Sequence, residues 1–192
     1  MTSEHPDRAK CYEILTEYGT PQHVVEHCKS VAAVAYRLGE ALNRSRKEQL
    51  NLELILSAGL LHDMARVEYD HGNVAADWCR DNGYCREAEI ICAHMFHEFP
   101  EDVSELTETD LVCLGDRLSL EDRYVGLDER MDYVIRKGEK NGWKDARKII
   151  LEKKAVTRRL LDGIECCIGM TIDDLMQNLD YEDIEKRYGK DR

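Results

Sequence analysis

The sequence predicts an all-α helical bundle, and three observations carry that reading. Apolar residues recur at helical spacing along most of the chain, in stretches bounded by start and stop residues. No segment alternates over several residues with β-branched enrichment, so strand signals are almost absent. Three prolines and few aromatic residues suit a bundle of helices.

The elements follow in order from their caps. A first short helix is expected from about Asp7 to Tyr18, with Gly19 suited to its C-terminal end. Thr20 reads as the N-cap of a second helix, with Pro21 at its first position, running to about Leu42. A third helix is expected from about Lys47 to Val67, then a loop from Glu68 to Gly72. Asn73 reads as the cap of a helix reaching Asn82, ended by Gly83. A helix from about Arg86 to Phe96 leads to Pro100. Thr107 caps the next, which carries Asp116 and ends near Val125-Gly126. Asp128 opens a helix to about Glu139, and Asn141-Gly142 breaks the chain. A long helix from Lys144 to Ile168 follows. Thr171 then caps a final helix ending near Tyr188-Gly189.

With 192 residues, the chain is long enough for one domain with a sizeable core. It is expected to be a single domain over residues 1–192. The core covers about 21–140, and 141–192 form a more charged helical extension without a separating linker. The net charge of −12 disfavours sequence-independent binding to nucleic acid, which needs clustered Lys and Arg. It leaves an anionic substrate open, because a bound cation can dominate the local field. None of the eight cysteines forms a C-x-x-C pair; several lie on apolar helical faces and read as small core residues, and neither a disulfide framework nor a structural zinc site is expected. The N-terminal stretch is polar, and no run is long enough to span a bilayer. A cytoplasmic protein with reduced thiols is expected.

His62-Asp63 ends the apolar run Leu52, Ile55, Leu56, Gly59, Leu60. Two polar ligand-type side chains at a buried helix end are costly unless something charged meets them. His27 lies in a stripe with Val24, Val31, Val34 and Leu38 and points inward. A lone inward histidine is more often a satisfied core residue than a ligand. Asp116 shares a face with Val112, Cys113 and Leu120, and an ion pair with Arg117 or another arginine is its bland explanation. A single common cause accounts for all of these together. Two histidines with two aspartates suit Mn, Fe, Co, Ni or Zn better than a thiolate-selected ion.

The order His27, His62-Asp63, Asp116 resembles the HD superfamily of metal-dependent phosphohydrolases. Pro21-Gln-His-Val-Val-Glu-His27 is similar to the family's first-ligand helix, and Ala58-Gly-Leu-Leu-His-Asp-Met-Ala-Arg66 to its signature. His71-Gly-Asn, Ala93-His94 and Gly115-Asp116-Arg117-Leu118 match later elements. The resemblance covers about Pro21 to Asp132. It implies an HD-domain-like bundle in which His27, His62, Asp63 and Asp116 hold a divalent transition metal. His71 and His94 are placed like the extra histidines of two-metal members, where Asp63 would bridge. His71 stays open between a ligand and a loop histidine. His94 is either a second-site ligand or a proton donor to the leaving group. Arg66 is expected to hold a phosphate oxygen.

Other residues receive plainer readings. His94 and His97 stand at i, i+3, where one helical face could carry both, but His97 is read as a surface or loop residue; His5 and His23 are read as unrelated to chemistry. One of Arg117, Arg123 and Arg130 is expected to face the cleft. The basic run from Lys144 to Arg159 reads as the solvated face of an amphipathic helix, with a homodimer contact as a further role. The implied activity is metal-dependent hydrolysis of a nucleotide or other small phosphate ester or anhydride, with no nucleic-acid or membrane partner. The alternatives are a di-iron oxygenase of the same superfamily and a catalytically silent nucleotide-binding module.

Overall fold

The computed structural model describes residues 5–95, 97–179 and 184. Among these, the helices are α1 (Arg8–Tyr18), α2 (Gln22–Asn43), α3 (Leu52–Leu61), α4 (His71–Asp81), α5 (Cys85–Ala93), α6 (Glu108–Leu118), α7 (Gly126–Lys140), α8 (Ala146–Ile168) and α9 (Ile172–Met176). A 3-10 turn covers Val103–Glu105, and an antiparallel hairpin pairs β1 (Ser119–Leu120) with β2 (Arg123–Tyr124). The all-α class stands.

Helix α2 is the hub. It is buried over most of its length because apolar and small residues occupy nearly every turn, and α3 and α6 both pack along it. One apolar cluster on its flank joins Val34, Leu38 and Leu42 to Ile55 of α3, Leu111 and Leu114 of α6, and Leu161 and Ile164 of α8. A second cluster joins Ala33 and Tyr36 to Leu60, Leu61 and Met64 and to residues of α1, α4 and α5.

Two glycines set the spacing of the hub. A Cβ at Gly59 would lie 2.8 Å from Ala32 Cα, and one at Gly115 would lie 2.6 Å from Val31 O. Both contacts fall on the same turn of α2, so α3 and α6 close onto one level of that helix. Gly59 stands three residues before His62, and Gly115 directly before Asp116. The close approach therefore fixes where the polar residues meet.

Several caps match expectation. Asp7 accepts from Lys10 N and Gly19 closes α1 in the left-handed region; Thr171 accepts from Asp174 N. Thr107 and Asp110 form a reciprocal capping box on α6.

Other boundaries moved. Helix α3 begins only at Leu52, because Asn51 accepts from Glu53 N and Leu54 N at 3.1 Å each and so acts as the cap. It ends at Leu61, and residues 62–70 run through turns rather than continuing as helix to Val67. Thr20 is not the α2 cap: its hydroxyl donates to Met64 O at 2.8 Å and ties the α1–α2 corner to those turns. Helix α4 starts at His71, after Asp70 in the left-handed region, so Asn73 lies inside it. Helix α6 stops at Leu118 because the hairpin takes over, and strands of two residues are too short to leave an alternating pattern. Helix α5 ends at Ala93 and α9 at Met176, short of the expected ends at Phe96 and near Tyr188-Gly189, positions that themselves lie outside the described residues.

Cys11, Cys28, Cys79 and Cys113 are buried as small core residues, whereas Cys85, Cys92, Cys166 and Cys167 are exposed. All eight are free thiols. His5 is buried and structural. Its Nδ1 lies 2.8 Å from Glu87 Oε1, which also accepts from Ser57 Oγ at 2.7 Å. Among the described residues no helix is long and apolar enough to cross a membrane.

Gly115→Ala is expected to destabilise the protein by about 1–3 kcal/mol, because the added methyl meets backbone that cannot yield. The shift in urea midpoint measures it. Asp110 supplies a pH test. Burial would push its carboxyl up, but His97 and Thr107 outweigh burial and hold it below the usual value of 3.8. A depressed carboxyl stabilises the fold above its unfolded pKa and loses that contribution as pH falls through the folded value. Asp110→Asn is therefore expected to lower stability at pH 7 and to converge with wild type in strongly acidic urea titrations.

Candidate metal centre

Each elementary position of the site follows from a helix end or a helix face. His62 and His94 occupy the C-caps of α3 and α5, where the last carbonyls lack intrahelical partners. Each imidazole uses one of those carbonyls: His62 Nδ1 donates to Gly59 O at 2.8 Å and His94 Nδ1 to Ile91 O at 2.6 Å. His27, on the inward face of α2, donates from Nδ1 to Glu121 O in the hairpin at 3.0 Å. A carbonyl oxygen only accepts, so each of the three rings carries a proton on Nδ1, and in its neutral form each offers the Nε2 lone pair to a cation.

Those Nε2 atoms converge on Asp63. The Oδ2 oxygen lies 3.4 Å from His62 Nε2 and 3.7 Å from His27 Nε2. The Oδ1 oxygen lies 3.2 Å from His71 Nε2 and 3.6 Å from His94 Nε2. Asp116 adds Oδ1 at 3.2 Å from His27 Nε2. The four imidazoles form a chain with ring centroids 5.4–5.5 Å apart. The donors fall into two groups, His27 with His62 and Asp116, and Asp63 with His71 and His94; the donor atoms of each group lie within 4.8 Å of one another. The two oxygens of Asp63 face opposite groups.

This arrangement fits cations. His62 Nε2, Asp63 Oδ1 and His71 Nε2 are buried and have no hydrogen-bond partner. Buried polar atoms without partners are rare and ask for an ion or water. A nitrogen and carboxylate-oxygen donor set is what divalent transition metals take. Burial would push the Asp63 carboxyl up, but His62, with His71 and His94, outweighs it and holds the group well below the usual range. Asp116 is likewise depressed against its burial, by His27 and Arg130. Asp63 also bonds Arg66 Nη1 through Oδ2.

All six residues expected as ligands thus meet at one place. His71, left open between ligand and loop by the sequence, stands at the first position of α4 and points at Asp63. His97 does not join His94 on a helical face, because α5 ends at Ala93; its Nε2 lies 2.7 Å from Asp110 Oδ1. Arg117 does not pair with Asp116. It donates to Thr157 Oγ1 at 2.9 Å and His97 O at 3.0 Å, and lies over the Phe99 ring. The partner of Asp116 is Arg130, whose Nη2 lies 3.0 Å from Oδ1 and whose Nε donates to Asp116 O at 3.1 Å. Three arginines follow Asp116, and only the turn of the chain through the hairpin selects Arg130. Arg117 also borders the cleft but is held by Thr157 and His97, and Arg123 pairs with Glu129 on the surface at 2.9 Å.

Protein purified without added metal is expected to carry two divalent ions per chain by metal analysis. Asp63→Ala is expected to lose both, whereas His71→Ala with His94→Ala keeps one. A single ion in wild type, unchanged by the His71 and His94 substitutions, would confine binding to the first group.

Comparison with known proteins agrees with this geometry. The chain is 27% identical over 149 residues to a tRNA (cytidine(56)-2'-O)-methyltransferase of Thermoplasma volcanium, covering 69% of this chain and 42% of that protein. It is 34% identical over 73 residues to an uncharacterised protein of Methanocaldococcus jannaschii, covering 36% of this chain and 43% of that protein. The chain thus spans less than half the length of either relative. No solved structure matches. The HD domain family model matches residues 24–158, a span that takes in all six converging residues and both arginines beside them, and the chain belongs to the HD domain family.

Proposed function

We propose that this protein is a metal-dependent phosphohydrolase acting on a nucleotide or other small phosphate ester or anhydride. The observation that carries the reading is the position of Asp63, astride two histidine groups at the floor of a cleft lined by cations. His27, His62 and Asp116 would hold one ion, and His71 and His94 a second, with Asp63 beside both groups. Bound divalent ions would supply an acidified water as nucleophile near neutral pH and positive charge for a phosphoryl oxygen.

The protein's own residues do the rest. The Nδ1 contacts to Gly59 O, Ile91 O and Glu121 O hold the imidazoles in register before substrate arrives. His94 acts as a ligand rather than as an acid, because its Nδ1 proton is committed to Ile91 O and its Nε2 faces Asp63. Arg66 stands at the junction of the metal floor and the adjoining groove, with 39% of its side chain exposed. Once relieved of balancing Asp63, its guanidinium is placed to hold phosphoryl oxygens by charge-assisted hydrogen bonds. Arg130 orients Asp116 through two contacts and borders the same cleft. The methyl-transfer activity in the name of the Thermoplasma relative is not carried over, since the match covers 42% of that protein.

The same donor set would accept two irons, so oxygen uptake is the discriminating control. Release of inorganic phosphate from a panel of phosphomonoesters and nucleotides is expected to require bound metal and to stop on chelation. Asp63→Asn is expected to abolish it with the helical circular dichroism unchanged, and Arg66→Ala to lower kcat by about 100-fold. Full turnover by metal-free His62→Ala protein would sink the reading. Oxygen uptake without phosphate release would move the assignment to the di-iron oxygenase, and nucleotide binding without either to a silent module.

A further inference from the structure

The metal centre forms the floor of a cleft of about 480 Å³, a size suited to a small molecule. Asp63, His71, His94 and Asp116 line the floor, and the facing wall comes from α7 and α8. That wall carries Lys137 on α7, Lys153 on α8 and Trp143 in the turn between them.

The charges on this wall are unusual for the protein. Five cations line the cleft against two carboxylates, in a chain with 39 acidic and 27 basic residues. Both carboxylates are engaged, Asp63 by the imidazoles and Arg66, and Asp116 by His27 and Arg130. Arg117 is held by Thr157 and His97. Lys137 and Lys153 remain. Among the described residues neither ammonium has a carboxylate within salt-bridge distance, although Lys154, the next residue along α8, pairs with Asp128 at 2.9 Å. Both side chains are exposed, and two lysines without carboxylates on one wall of a cleft attract an anion.

Trp143 adds a planar surface beside them. Its backbone N–H donates to Gly138 O at 2.9 Å. A Cβ at position 138 would lie 2.9 Å from the indole, so the ring rests directly on α7. It is nevertheless 51% exposed and borders the cleft with Val134 and Ile150. A half-exposed indole held against a helix offers a ring for stacking at little cost in side-chain freedom.

We propose that the α7–α8 wall is a second subsite, which takes the non-reacting end of the substrate: a further anionic group at Lys137 and Lys153, and a planar ring against Trp143. The proposal rests on the phosphohydrolase reading for what occupies the floor. It narrows the substrate class to small molecules that carry a planar ring and at least two anionic groups. Part of the basic run of α8, expected to be a solvated face, thereby acquires a role.

Binding to metal-loaded protein tests it, with two probes read by calorimetry. Orthophosphate reports the floor alone. The α,β-methylene analogue of adenosine diphosphate adds a ring and a second phosphate and resists cleavage at its bridge. Wild type is expected to bind the analogue at least tenfold more tightly than orthophosphate. Lys137→Ala combined with Lys153→Ala, and separately Trp143→Ala, should each weaken the analogue by tenfold or more and leave orthophosphate unchanged. Lys140→Ala with Lys144→Ala removes equal charge outside the cleft and should change neither. Equal weakening of both probes, no weakening, or the same loss in the control overturns the subsite. Phosphate release separates the two readings. Wild type that hydrolyses simple monoesters but binds the analogue no more tightly than orthophosphate keeps the hydrolase and removes the subsite. Wild type that binds the analogue through these residues but releases phosphate from nothing does the reverse.

Discussion

Asp63 has 1% of its surface exposed, and a carboxylate so deeply buried survives as an anion only when positive charge or donors surround it. Much of the architecture answers that demand. Helices α3 and α5 end where their terminal histidines face it, α4 begins where His71 does, and α2 supplies His27 from the side. Arg66 reaches back over a single turn to the same oxygen. These groups come from four helices and one turn, so the centre also acts as a polar knot at which the bundle is tied. Three buried donor atoms of the centre, His62 Nε2, Asp63 Oδ1 and His71 Nε2, have no hydrogen-bond partner, the kind of demand a cation meets.

The knot depends in turn on how closely the helices pack. Leucine or valine in place of Gly59 or Gly115 would push α3 or α6 away from α2, and the ligands of those helices would no longer reach His27. The apolar clusters on either side of α2 hold that spacing. The hairpin after α6 has a comparable role at small scale: two paired residues on each strand bring Glu121 O to His27 and turn the chain so that α7 returns Arg130 to Asp116. Electrostatics follow the same division. The surface is acidic, while the cleft over the knot gathers cations from α6, α7 and α8 as well as from the turn after α3.

The helical class was legible because it rests on local patterns, and the converging residues were legible through the resemblance of their order to the HD family. Helical periodicity, the caps at Asp7, Thr107 and Thr171, and the polar pair ending an apolar run are properties of a few consecutive residues. Boundaries that depend on distant contacts were not legible. Thr20 looks like a cap until Met64 O, forty-four residues away, takes its hydroxyl. His97 looks aligned with His94 until the helix stops at Ala93 and Asp110 captures it. Arg117 is adjacent to Asp116 in sequence yet turns to Thr157, and the ion pair goes to Arg130 instead.

The sequence by itself determined that this chain is helical, since short-range periodicity is written residue by residue, and it carries six residues of metal-ligand type whose order resembles that of the HD family. Only the tertiary structure decided that the two oxygens of Asp63 face two separate groups, that His71 stands with His94, and that Lys153, exposed on α8, borders the cleft over the metal centre. Each of those facts is a distance between segments far apart in the chain. Helix packing sets such distances, and no local pattern encodes them.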